Sequence, residues 1–521
     1  MKNLKEADVV ILGANIIPMD QDIPFAEAIA AKDGRIVCVG INSDVLHLIG
    51  KKTIVIDAQK RSILPGFIDC HVHFMGSAIA AYYIDVSNVH SLADMLELLR
   101  SKAAEMGKDE WIRARGFDDS RVTERRYPTR KELDRIAPDN PIIFKRQDGH
   151  SCVINSMALE ILDLSEDLSG FELDPDTGEF SGILRKKANS IAGKKVNDLI
   201  PDELRVKGLA KTAEIAAQRG VTTIHAMDGT SGDSKHISMI KEHVNELPLR
   251  VIQYYQTTDV RDVETFSFSR IGGCILIDGT MDSHTAALRE PYADKPSTSG
   301  GLYFDDDVLE GFIEEAHRKG LQIATHAIGD RAVDQLLDVY EKVLNAYPRQ
   351  DHRHRIEHIE IPCEDQLERC KELGIALSVQ PSFVYCWDVD MYESRIGTSR
   401  VKRLHHYKNM IDRGLLVGGG SDSPVTPINP IVGIHTAVNH PIPGNGIDVM
   451  SALRMFTSAG ARLAFEEDVK GSLTTGKYAD MVILSDDPLT VEKERLKDIE
   501  IEATLIGGKI SYSSGSILEK K

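Results

Sequence analysis

The sequence predicts an α/β protein: a (β/α)8 TIM barrel with an insertion after its first strand, plus a small β-sandwich formed by both chain termini. Three observations predict it. Both ends read as short strands without helical periodicity; the long middle alternates apolar runs with amphipathic helical stretches; and one segment alone interrupts that rhythm. Alternating strand and helix signals indicate a parallel sheet covered by helices.

The N-terminal end carries apolar runs at Ala7–Leu12, Ile16–Met19 and Ala26–Ala31, then Asp33-Gly34, Arg35–Val39 and Ile54–Asp57. Asp-Gly between two apolar runs is a hairpin signal. The C-terminal end has the same texture, with Asp480–Leu484, and Ile501–Ile506 running through Gly507-Gly508 into Lys509–Tyr512. Residues 1–62 and 468–521 are therefore expected to build one composite sandwich, and residues 63–467 the barrel.

The barrel opens with Ile63–Phe74. Further strands are expected at Val221–Met227, Arg250–Tyr255, Cys274–Asp278, Leu321–Ala327, Arg355–Ile359, Ile375–Gln380 and Leu415–Gly420, making eight. Helical stretches such as Arg205–Arg219, Asp306–Lys319, Arg331–Ala346 and Glu364–Leu373 fall between them, several followed by a C-capping glycine. Residues 77–204 are far longer than a strand-to-helix connection needs. With strand-like Trp111–Arg115 and Ile142–Lys145 and a helix at Leu92–Glu105, they are expected to form an inserted, lid-like subdomain.

Composition narrows the function classes. A chain of 521 residues, 42% hydrophobic and 27% charged, has the make-up of a soluble globular protein. Its net charge of −18 disfavours nucleic acid and acidic membrane as partners. No apolar window approaches the roughly 18 residues of a membrane helix, and no signal peptide is evident. The seven scattered cysteines lack CxxC pairs, which suits reduced thiols and a cytoplasmic location.

The chemistry sits at strand ends, where such barrels carry their active sites. His71 and His73, one residue apart on a strand, share a face and can meet one cation. Later strands end in His326, in His358, and in Ser421-Asp422. One such residue has an ordinary explanation in the core or a turn; their coincidence at successive strand ends points to a metal site.

At these residues the chain resembles the amidohydrolase superfamily, in its long metal-dependent branch with an insertion after the first strand (amidohydrolase family 3-like). The resemblance covers Leu64–His73, Asp148-Gly149-His150, Gly220–His225, Asp278-Gly279-Thr280 through Leu288, His326–Ala332, Arg355–His358, Gly420–Pro424 and Gly471–Asp480. It implies one or two divalent metal ions, with zinc expected, held by His71, His73, His326, His358 and Asp422. It also implies that Asp422 is the proton acceptor, with His358 contributing to catalysis. Many relatives carry a bridging, carboxylated lysine on the fourth strand, where this chain has Cys274. A thiolate can bind or bridge zinc. The alternative is a small buried apolar residue and a one-metal site, with His358 contacting substrate or water.

The implied reaction is hydrolysis of a non-peptide carbon–nitrogen bond in an amide, N-acyl or N-formyl compound, by hydroxide generated on the metal. The alternative is a mononuclear deaminase of a heterocycle, and the least favoured reading is a non-catalytic scaffold. The expected partner is a small-molecule substrate, and a homo-oligomer is compatible with the sequence. Asp148 and His150 are candidates for closing over the substrate, against a plain loop turn. His225 could reach the pocket but is read as an orienting or packing residue, and His284 and Arg289 are candidates for meeting a polar or anionic substrate group, against an equally expected solvated loop.

Overall fold

Eight parallel strands form the central sheet of the computed structural model, which describes residues 6–515 except 24, 120, 147–150, 176 and 231, and the backbone of 519–520. They are β1 (Phe67–Val72), β2 (Val221–Asp228), β3 (Arg250–Tyr255), β4 (Arg270–Leu276), β5 (Gln322–Ala327), β6 (Arg355–His358), β7 (Ala376–Val379) and β8 (Val417–Gly419), paired in chain order. Helices such as Asp306–Arg318, Asp330–Ala346 and Glu364–Leu373 intervene. β1, β2, β5, β6, β7 and β8 are buried along their whole length, as a sheet covered on both faces requires.

Closure uses the segment that follows β8. Asp422 N–H donates to His71 O at 2.8 Å and His73 N–H donates to Ser423 O at 2.9 Å. Ser421 N–H donates to the Asp69 carboxylate at 2.8 Å. The seam of the barrel therefore runs between the two segments that carry His71, His73 and Asp422.

β4 starts at Arg270, ahead of the expected Cys274, because Gly272 and Gly273 lie inside the strand. Their φ values of 98° and 118° are open to glycine and strained for other residues. The β4–β5 ladder changes register between Gly272 and Leu276, and Cys274 sits in that bend. A Cβ on Gly272 would lie 2.0 Å from the Ala324 carbonyl oxygen. Gly272→Ala is expected to lower stability by at least about 3 kcal/mol, combining backbone strain with a clash that only a shift of β5 relieves. Urea unfolding measures this, and an unchanged midpoint would show that the bend does not need glycine.

Two five-stranded sheets make the sandwich. One contains Val9–Leu12, Ala28–Lys32, Arg35–Gly40 and Ile54–Asp57; the other contains Ser62–Pro65, Met481–Leu484, Ile501–Ile506 and Lys509–Ser513. Val9, Ile11, Ile29, Ile63, Met481, Ile483 and Leu505 fill a common core between the termini. Ser62–Pro65 pairs with Met481–Leu484, so the single apolar run Ile63–Phe74 is divided at Gly66 between sandwich and barrel.

Ala78–Gly208 forms a second compact unit. Its six-stranded sheet runs Phe171–Leu173, Phe180–Arg185, Ser151–Ile154, Ile142–Arg146, Ile112–Phe117, Ile84–Asp85. The helix Leu92–Glu105 is N-capped by Ser91, whose hydroxyl accepts from Asp94 N–H, and buries Leu92, Met95 and Leu99 in that unit's own core. Asp148, Gly149 and His150 lie outside the described residues. No helix among the described residues is long and apolar enough to cross a membrane.

Candidate metal centre

Strand ends bring His71, His73, Cys274 and Asp422 into one group and Cys274, His326 and His358 into another, with the donor atoms of each group within 4.8 Å of one another. Cys274 Sγ lies 3.3 Å from His71 Nε2, 3.4 Å from His73 Nε2 and 4.0 Å from His358 Nε2. Asp422 Oδ1 lies 3.4 Å from His71 Nε2 and 3.2 Å from His73 Nε2. That oxygen is buried and has no hydrogen-bond partner.

The opposite ring nitrogens are tied down. His71 Nδ1–H donates to Glu357 Oε2 at 2.6 Å, His73 Nδ1–H to Met227 O at 2.9 Å, and His358 Nδ1–H to Gln380 Oε1 at 2.7 Å. His326 Nε2–H donates to Gly279 O at 3.2 Å, which leaves Nδ1 as its free lone pair. Each ring thus has one nitrogen tied to the protein and the other left for a ligand, where a bound cation would take the place of a proton, the orientation a metal-ligating histidine needs. A thiolate, a carboxylate oxygen without a partner and four oriented imidazoles are a donor set that fits divalent metal.

The electrostatics agree. Burial pushes the Cys274 thiol up, but His71, His73, His326 and His358 together more than offset it and hold the thiol well below its ordinary range. Burial works against protonation of His71 too, yet Cys274 and Asp422 raise it to about 10. Below the centre, Arg355 is fully buried and bonds to Glu357, to Cys70 O at 2.7 Å and to His225 Nδ1 at 3.0 Å. Against its burial, Arg355 and His71 press the Glu357 carboxyl down to about 2, so it stays charged beneath His71.

A cavity of about 330 Å³ opens beside the donors. Leu276, Met281, Ile328, Phe383, Trp387, Met391, Tyr392 and Val425 line it, with Gln256, Thr280, Asp282 and Glu360 as polar members. Burial, with Asp282 as the next contributor, pushes the Glu360 carboxyl up to about 8. Its size and largely apolar wall are those of a small-molecule site.

Three residues singled out in the sequence are placed elsewhere. β2 continues to Asp228, so His225 lies inside the strand, against Arg355. Burial and Arg355 lower its pKa well below the ordinary histidine value and keep it neutral. His284 pairs with Asp294 at 3.0 Å. Arg289 is held by Asp334 at 2.5 Å and Asp365 at 2.8 Å.

The sequence reading missed Glu357, Gln380, Asp228 and Glu360. Arg355 and Glu357 alternate on β6 toward the barrel interior, the one signal that marks Glu357. Asp228 accepts from Phe74 N–H and Met75 N–H at 3.0 and 2.9 Å, fixing the turn after His73.

Residues 54–512 match the sequence profile described as the amidohydrolase family. The chain belongs to the amidohydrolase family. With that membership comes the reaction class, hydrolysis of a carbon–nitrogen bond. This amidohydrolase is 30% identical to the protein LONG AFTER FAR-RED 3 of Arabidopsis thaliana, over 97% of this chain and 92% of the relative. It is 26% identical to an N-substituted formamide deformylase of Arthrobacter pascens, over 97% and 98% of the two chains. Among solved structures, a metal-dependent hydrolase from Pyrococcus furiosus superposes with a TM-score of 0.78 at 27% identity, over 92% of this amidohydrolase and all of that chain.

Proposed function

We propose that the protein hydrolyses non-peptide amides of the N-formyl or N-acyl amine type, releasing an amine and a carboxylic acid. The observation that carries this is Cys274, shared between two ligand groups beside a cavity with an apolar wall. The formamide deformylase relative supports the same substrate class. Divalent metal, zinc first, would be held by His71, His73 and Asp422 and by His326 and His358, with the Cys274 thiolate common to the two groups of donors.

Bound metal lowers the pKa of its water toward roughly 7 and so supplies hydroxide at neutral pH. The chain's own residues do the rest. Asp422 takes a proton from the attacking water on its carboxylate and returns it to the leaving nitrogen as the carbon–nitrogen bond breaks and the carbon–oxygen bond forms. Glu357, Gln380 and the Met227 carbonyl hold the imidazoles in register. Phe383, Trp387 and Met391 bind the apolar part of the substrate and keep bulk water from the reacting carbonyl.

The test is formate release from N-benzylformamide and related N-substituted formamides by the zinc-loaded chain. Turnover is expected to vanish on chelation and return with zinc. A chain that takes up no divalent metal, or that when loaded cleaves none of the panel, overturns the proposal.

A further inference from the structure

The wall of the cavity carries a charge pattern that the hydrolytic chemistry does not use. Glu360, only 3% exposed, lines the cavity, and its Oε2 has no hydrogen-bond partner. Asp282 is a second acidic side chain lining the same cavity. No lysine or arginine lines the cavity among the described residues. Arg289 and His284, the cations that could have met an anionic substrate, are already paired with Asp334, Asp365 and Asp294. A buried acceptor without a donor is costly and calls for a ligand group or an ordered water to complete it. Away from the metal donors, the lining offers two acidic side chains, Asp282 and Glu360, and no lysine or arginine, which favours a positive group there and disfavours a carboxylate.

We propose that Glu360 is the specificity-determining residue of this cavity, accepting a hydrogen bond from an ammonium or other N–H donor on the apolar N-substituent of the substrate. The preferred substrates are then mono-acylated diamines with an apolar spacer, and N-acyl amino acids are rejected. The scissile end of that substrate rests on the amide-hydrolase reading above; the recognition of its amine rests on the cavity alone. The apolar side chains Phe383 and Trp387 hold the spacer, and Glu360 reads what the spacer carries.

The experiment compares three N-formyl amines on one carbon skeleton: benzyl, 4-(aminomethyl)benzyl and 4-carboxybenzyl. With the zinc-loaded wild-type chain, kcat/KM for the ammonium compound is expected to exceed that for the neutral one by about ten-fold or more, and the carboxylate compound to fall below the neutral one. In Glu360→Gln the ammonium-to-neutral ratio is expected to drop close to one, and in Asp282→Asn to drop less. Equal kcat/KM for the three compounds in the wild type overturns the proposal. So does an undiminished ratio in a Glu360→Gln chain with wild-type metal content and circular dichroism. If no formamide is turned over, the hydrolase reading fails by itself, and the same three compounds become simple ligands. Calorimetry then decides: a Kd for the ammonium compound about ten-fold or more below that of the carboxylate compound supports the assignment, and equal Kd values end it.

Discussion

Cys274→Ala is expected to bind one equivalent of divalent metal fewer than the wild-type chain and to lose more than the roughly 10–100-fold that removing an outer-sphere partner costs. Sγ stands within 3.3–4.0 Å of three imidazole nitrogens belonging to both ligand groups, so its removal opens both at once. The remaining donors divide unevenly: His71, His73 and Asp422 can still hold an ion, while His326 and His358 alone make a poor site. Elemental analysis per chain and kcat/KM on a formamide read the two effects together. Unchanged metal and unchanged turnover would make Cys274 a buried filler of the bend in β4. A single equivalent in both chains would end the two-metal centre and favour the deaminase alternative.

Asp422→Asn is expected to keep its metal and to lose about 10²–10⁴-fold in kcat, the usual span for removing a proton-transferring group. The substitution preserves size, and the backbone of residue 422 still donates to His71 O across the seam. What it removes is a carboxylate whose buried Oδ1 faces two imidazoles and has no hydrogen-bond partner. Metal content and kcat must be measured on the same sample. Turnover within about ten-fold of wild type, with metal bound, would take the proton-transfer role from Asp422. Parallel loss of metal and activity would reduce it to a ligand.

The barrel and the strand-end donors were legible because both leave periodic marks. Apolar runs ending in His326, His358 and Asp422 declare which end of each strand is the business end. His225 takes the orienting and packing role, one of the two the sequence offered, for a related reason. A strand of eight residues, Val221–Asp228, places its histidine one layer below the rim, and the sequence shows polarity without showing depth. Glu357 and Gln380 were illegible because their partners lie on other strands. Glu357 meets a histidine 286 positions away, and a charged residue inside an apolar run gives no sign of which ring it orients. The glycine bend that presents Cys274 was hidden by the same feature that creates it, since two adjacent glycines read as a strand boundary.

The seam of the barrel also bears on when the centre comes into being. Ser421 and Asp69, joined across it, are 352 positions apart, and Asp422 and His71 are bridged beside them. Contacts of such sequence separation carry the largest loop-closure entropy and form late. A growing chain therefore displays only His71 and His73, a two-imidazole site with weak hold on any ion. Cys274, His326, His358 and Asp422 arrive in turn, and the carboxylate is positioned only as the sheet meets itself. Metallation is therefore expected to follow folding, with the cage complete only once the last strand has found the first.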